Sequence, residues 1–279
     1  MTIQERLDEA IAAIPPLPDV ALRVLDVTAD PEFAIADLVS LVRTDPGLTA
    51  RVLRMCNSSL YSLPQEVRSV RDALGYLGSR ALVRVVVASC AKRSFEGGVA
   101  AGPYAAEEIL RRSVLHGFLA ESLAKHSGAV DSSLAFTAGI LHDIGRVAMS
   151  IAALKSGKQL VPGRKQSLPA FERSVFGEDH AQVGFRILEH WSVPAVIRGA
   201  VRDHHGAEDQ ALDLPLSAVL CASEMLTLEP EVRDANREEL EMPFANALDA
   251  LGISPDLAPS IRAEAEAATE SMGRSLQMR

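Results

Sequence analysis

The chain reads as all-α. Three observations predict this. Ala, Leu and Val dominate a composition that is 48% hydrophobic but only 4% aromatic, which suits helices packed on helices. Apolar residues recur at three- and four-residue spacing along most of the chain. No stretch shows the alternating pattern of a half-buried strand, and no fixed-period repeat appears.

Each element has its own signal. Residues 2–13 form a short amphipathic helix, stopped by Ile14-Pro-Pro-Leu-Pro18. Asp19 is placed to cap a second helix, through about Ala29, which Asp30-Pro31 breaks. Leu38, Val39, Leu41 and Val42 mark a third helix from Ile35. Asp45-Pro46-Gly47 opens a fourth, with Asp45 as N-cap and Pro46 at the first position, where a missing N–H costs nothing. It ends near Asn57-Ser58, which would bond its last carbonyls. A segment from Ser69 or Asp72 runs to Gly78, and Ser79 caps an apolar helix to about Phe95. Glu96-Gly-Gly-Val-Ala-Ala-Gly-Pro103 is a Gly-rich linker and the best subdomain boundary, where two halves could hinge. A long helix follows, Tyr104–His126. Further helices are expected around 130–143, 145–154, 168–177, 180–191, 193–204 and 215–228, with Lys155–Gln166 as a loop. The acidic tail is divided by Pro230, Pro243, Pro255 and Pro259 and ends in a helix over Ala258–Leu276. The expected units are 1–100, 101–228 and 229–279.

A net charge of -9 argues against general nucleic-acid binding and against an anionic membrane surface. No apolar run reaches the roughly 20 residues of a bilayer span, and the acidic, amphipathic start is not a signal peptide. Cys56, Cys90 and Cys221 are scattered in apolar contexts and read as reduced core residues. A cytoplasmic location is the expectation.

One feature carries chemistry. His142-Asp143 lies in the apolar stretch Ala138-Gly-Ile-Leu-His-Asp-Ile-Gly-Arg146. Burying two such groups unpaired costs several kcal/mol. A divalent metal held by imidazole and carboxylate would remove that cost.

The chain resembles the HD-related output domain (HDOD) family of bacterial signalling proteins. Ile14-Pro-Pro-Leu-Pro18, Thr44-Asp-Pro-Gly-Leu-Thr49, Leu53-Arg-Met-Cys-Asn-Ser58 and Ala73-Leu-Gly-Tyr-Leu-Gly78 look like its N-terminal half. Phe136-Thr-Ala-Gly-Ile-Leu-His-Asp-Ile-Gly145, Asp179-His180, Trp191-Ser-Val-Pro194 and Asp203-His-His205 look like its C-terminal half. The resemblance covers about residues 12–228. It implies a helical N-terminal subdomain packed on a degenerate HD-like helical bundle, and a role in signal transduction.

The related metal-dependent phosphohydrolases use an early His, the His-Asp pair and a late Asp. Anchoring the long helix on Ser113 and Leu123-Ala124 puts the early position at Arg112, which cannot ligate a metal. Arg112 would instead pair with Asp143. His116, one turn later, is a displaced candidate about 5 Å away. The late position falls on Ser223, a poor neutral ligand, with Glu224 turned about 100° elsewhere. The resemblance leaves His142, Asp143, His180, His204 and His205 as a residual metal set, and Arg112, His116 and Ser223 as ligand-pocket residues.

The resulting expectation is a regulatory protein without turnover. It has no cofactor, or at most a residual Mn, Fe or Zn, and it acts through a signalling-protein partner or a nucleotide-like ligand. The alternative is a metal-dependent phosphohydrolase acting on nucleotides or cyclic dinucleotides, which revives if His116 and Glu224 turn inward.

Overall fold

The computed structural model describes residues 1–29, 35–58, 61, 63–95, 104–161, 166–205, 215–228 and 237–276. Among them there are helices and no β-strand. The chain runs α1 (Ile3–Ala13), α2 (Asp19–Ala29), α3 (Ile35–Arg43), α4 (Pro46–Cys56), α5 (Val70–Ser94), α6 (Ala106–Ser127) and α7 (Ser132–Leu141). It continues through α8 (Ile144–Lys155), α9 (Leu168–Phe176), α10 (His180–His190), α11 (Ala195–Asp203), α12 (Pro215–Thr227) and α13 (Arg237–Ala250). A 3₁₀ turn (Pro255–Leu257) leads into α14 (Ala258–Leu276).

Local chemistry sets many of the boundaries. Asp45 Oδ1 accepts from Leu48 N at 2.9 Å, with Pro46 beside it in the first turn of α4. Asp131 Oδ1 accepts from Ser133 N and Leu134 N and starts α7. Asp179 and Gln182 close a reciprocal capping box at α10. Gly78 breaks α5 at φ 76°, so the helix is two pieces, with Ser69 capping the first. Asn57 departs from expectation. Its side chain does not bond the carbonyls of α4 but holds Val67 from both sides, Nδ2 to O at 2.8 Å and Oδ1 from N at 2.7 Å. It pins the loop that follows. The Gly-rich linker at 96–103 lies outside the described residues.

The helices share a buried core. α6 and α7 form its centre and pack closely, because a Cβ on Gly139 would lie 2.7 Å from His116 O and 2.9 Å from Gly117 Cα. α12 flanks α6, and α5 lies on α7. On the other side, α10 packs on α8 and α11. α1 lies against α8 and also touches α10 and the turn before it, where Asp8 binds Arg186 at 2.6 Å and Gln4 reaches Glu178 at 3.0 Å. α14 covers α6, burying Ile261, Ala265 and Met272. Two helical stretches, Val70–Ser94 and Ser132–Lys155, are long and apolar enough by length and composition to cross a bilayer, although Gly78 divides the first and the His142-Asp143 joint the second. Their apolar windows are 56% and 89% buried, so much of that surface packs inside the protein. The three cysteines are free and buried.

Candidate metal centre

His142 and Asp143 do not sit within one helix. They form the two-residue joint between α7 and α8. Asp143 precedes α8, but its carboxylate makes no capping bond and turns into the interior. The α6–α7 approach lays His116 on His142, rings stacked at 3.7 Å. α12 brings Ser223, Glu224 and Thr227 to the same point. From the other side come Glu172 of α9, His180 at the start of α10, and His204-His205 just past α11. Gly145 permits this second approach. A Cβ there would lie 2.1 Å from His180 O and 2.8 Å from Gly184 N. Only glycine lets α8 touch the start of α10, which puts His180 Nε2 3.3 Å from Asp143 Oδ1.

Two three-residue clusters result, His116–His142–Glu224 and His180–His204–His205, with Asp143 between them. Glu224 Oε2 is 3.1 Å from His116 Nε2 and 3.6 Å from His142 Nε2. Asp143 Oδ2 is 3.3 Å from His142 Nε2, and the Nε2 atoms of His180 and His205 are 2.9 Å apart. Metal–ligand bonds of about 2.0–2.2 Å at ordinary coordination angles separate neighbouring ligand atoms by about 2.8–3.6 Å. The observed spacings match that range.

Hydrogen-bond accounting points the same way. His142 Nδ1 donates to Gly139 O at 2.6 Å, His204 Nδ1 to Val201 O, and His180 Nδ1 to Glu172 Oε2. Each bond spends the outward nitrogen and turns Nε2 inward. Ser223 Oγ donates to Leu220 O at 2.8 Å, so it accepts from His116 Nδ1 at 3.2 Å. Thr227 Oγ1 donates to Glu224 O at 2.7 Å, so it has no proton left for His116 Nε2 at 3.0 Å. Among buried atoms without a hydrogen-bond partner are His142 Nε2, His204 Nε2, both Asp143 oxygens and Glu224 Oε2. Converging buried acceptors call for a cation. Imidazole with carboxylate favours Mn, Fe or Zn over Mg or Ca.

The electrostatics fit a cation as well. Burial, then the charge on His142, takes His116 down to about 3. Burial first, then neighbouring cations or imidazoles, lowers His180, His204 and His205. These four rings are therefore neutral and able to ligate. Burial also opposes a charge on His142, but Asp143 and then Glu224 outweigh it and raise the ring to about 9. A proton on His142 thus does part of the work of a metal, and a metal would displace it. Against burial, Arg146 and His142 keep Asp143 ionised, and the His116 and His142 rings with the Arg146 guanidinium close by do the same for Glu224.

The residual set converges. His142, Asp143, His180 and His204 are fully buried, and His205 is half-buried. The ligand-pocket residues differ in part from expectation. Arg112 does not stand at a ligand position or pair with Asp143; it lies at the rim, its Nη2 3.7 Å from Glu224 Oε1. His116 takes the inward place, one helical turn on. Ser223 lies in the pocket as expected, its hydroxyl accepting from His116 Nδ1. Glu224 faces inward, not elsewhere, and is 6% exposed.

Sequence reasoning missed Arg146 and Glu172. Arg146 is the guanidinium that meets Asp143, Nη1 to Oδ2 at 3.0 Å, with Nη2 3.4 Å from His180 Nε2 and 3.7 Å from Glu224 Oε1. It follows Asp143 by three residues and so shares its helix face. Glu172 lies on the buried stripe of α9 between Leu168 and Phe176, each four residues away. A carboxylate on that stripe was a readable signal.

Comparison with solved structures shows the same fold. An HDOD domain protein of unknown function from Geobacter sulfurreducens is 25% identical, with 95% of this chain and 97% of that one covered and a TM-score of 0.75. A protein from Shewanella amazonensis SB2B, provisionally described as a phosphohydrolase, is 21% identical, with 98% of each chain covered and a TM-score of 0.68. A protein from Marinobacter aquaeolei VT8, provisionally described as a signal transduction protein, is 19% identical, with 99% of this chain and 65% of that one covered and a TM-score of 0.74. No curated protein matches the chain. The HDOD domain family model matches residues 14–207, well over half the sequence, and this chain belongs to the HDOD family.

Proposed function

We propose that this chain is a signal-transduction protein of the HDOD type whose HD half holds a divalent transition metal in a closed cleft. Its output is regulatory and not turnover. The observation that carries this reading is the convergence of buried polar atoms that make no hydrogen bond at His142, His204, Asp143 and Glu224, with the Arg146 guanidinium as the one fixed cation beside Asp143 among the described residues. His116, His142, Asp143 and Glu224 would hold one cation, with His180, His204 and His205 on the other side of Asp143. A bound metal supplies positive charge that can polarise a phosphoryl oxygen. The residues themselves tie α6, the α7–α8 joint, α10, the end of α11 and α12 to one point. Closed metal sites serve structure, while catalytic ones keep a position open. Here every candidate ligand but His205 is buried. Occupancy would therefore set the surface offered to a protein partner, and a phosphate-bearing, nucleotide-like ligand would enter beside His205.

The alternative has its own support. Asp143 faces His142 with one oxygen and His180 with the other, both at 3.3 Å. A carboxylate between two ligand clusters suits a two-metal phosphohydrolase acting on nucleotides or cyclic dinucleotides. The test is to load the protein with Mn²⁺, follow its melting temperature, and incubate it with cyclic dinucleotides and a chromogenic phosphodiester. A raised melting temperature with no product supports the regulatory reading. Product formation abolished by Asp143→Ala replaces it with the hydrolase.

A further inference from the structure

Tyr104 is the first described residue after the Gly-rich linker, and it is 1% exposed. Its phenol reaches into the cleft network and donates to Glu172 Oε1 at 2.9 Å. Its backbone is held too, since Ser150 Oγ of α8 donates to Tyr104 O at 2.8 Å. Glu172, also fully buried, spends its other oxygen on His180. Oε2 accepts from His180 N at 2.9 Å and from His180 Nδ1. Arg146 Nε stands 3.9 Å from Oε1. Tyr104, Glu172 and His180 thus form one chain of hydrogen bonds from the linker end to the centre of the cleft.

A carboxylate that accepts from Nδ1–H fixes the tautomer of an imidazole, aims its Nε2 and makes that nitrogen more basic. Here Nε2 of His180 faces Asp143, His205 and Arg146. The carboxylate can hold that ring only if it is held itself. On the Oε1 side, Tyr104 is its hydrogen-bond donor.

We propose that Tyr104 and Glu172 are positioning residues of the metal centre: the phenol clamps the carboxylate, the carboxylate fixes His180 with Nε2 inward, and the linker end is thereby coupled to metal affinity. This rests on the metal reading above, and the experiment separates the two. Tyr104→Phe removes one oxygen and keeps the ring in its pocket. Burial pushes the Glu172 carboxyl up to about 8, so the comparison is made at pH 9, where Glu172→Gln keeps the shape and removes the charge. Mn²⁺ affinity is measured by calorimetry on the full chain. The protonated nitrogen of His180 is read in metal-free protein by ¹⁵N NMR of labelled histidine, a readout that packing loss alone does not move.

The expected result is an Nδ1–H tautomer of His180 in the wild type, a changed tautomer population in Glu172→Gln, and Mn²⁺ binding about tenfold weaker in Tyr104→Phe. Wild-type affinity in Tyr104→Phe, or an Nε2–H tautomer in the wild type, overturns the proposal. If the wild type takes up no Mn²⁺, the metal reading fails, and the tautomer comparison alone decides whether Glu172 positions His180.

Discussion

Replacing Gly145 with alanine places a methyl carbon 2.1 Å from the carbonyl oxygen of His180 and 2.8 Å from Gly184 N. Side-chain carbons of this kind are essentially never found closer than 3.0 Å to a neighbour, so the start of α10 must retreat from α8 by at least 0.9 Å (3.0 minus 2.1). Both obstacles are backbone atoms, and no side chain can rotate away to absorb the strain. Overpacking of this sort costs about 1–3 kcal/mol of stability. The effect on the cleft is larger. Asp143 precedes α8 and His180 opens α10, and their ligand atoms are 3.3 Å apart. A retreat of that size takes the pair to about 4.2 Å, so Asp143 loses the partner that orients it from the His180 side of the centre. Gly145→Ala should therefore stay folded, with a melting temperature a few degrees lower, and lose at least tenfold in Mn²⁺ affinity. Thermal melts and calorimetric titration check both. A variant with wild-type Mn²⁺ affinity would refute the claim that this close approach assembles the site.

Two further outcomes follow from the charges. Arg146→Met leaves Asp143 buried without its guanidinium, which costs about 3–5 kcal/mol in metal-free protein. Removing the competing cation should make the Mn²⁺-induced rise in melting temperature larger than in the wild type, and an equal rise would count against Arg146 as the internal counter-charge. Metal-free protein should be most stable near pH 6.5. Below that value the unfolded chain takes up protons that His116, held down to about 3, refuses. His180, His204 and His205 act in the same direction. His142, raised to about 9, contributes fully below about 6.5, and its contribution is gone once the pH passes about 9. Urea unfolding at pH 5, 6.5 and 9.5 tests the dome, and a stability that rises steadily from pH 5 to 9.5 would exclude it.

The helices were legible because their ends carry explicit chemistry. Asp45 with Pro46, Asp131, and Asp179 with Gln182 each satisfy orphan backbone groups, and the breaks fall where those caps stand. The convergence of His142, Asp143, His180, His204 and His205 was legible only through the family resemblance, which supplies the pairing of motifs far apart in the chain. The phase of α6 and α12 was not. From Ser113 to Ala124 every side chain of α6 is buried, and so is every one from Leu216 to Thr227 of α12. A helix covered on all sides has no polar face to mark its rotation. Arg112 could thus be mistaken for His116 one turn away, and Ser223 for Glu224. Glu172 and Arg146 are a different case. Both lie at plain helical spacing from apolar or acidic partners, so the signal was present in the residues themselves.

The central claim is that the buried acceptors around Asp143 hold a metal. Elemental analysis of protein purified without chelator and without a metal-binding tag tests it most directly, with Glu224→Ala and His116→Ala alongside. The account predicts near-stoichiometric Mn, Fe or Zn in the wild type and its loss in both variants. Wild-type protein that carries no metal, and takes up none when dialysed against Mn²⁺, would contradict it.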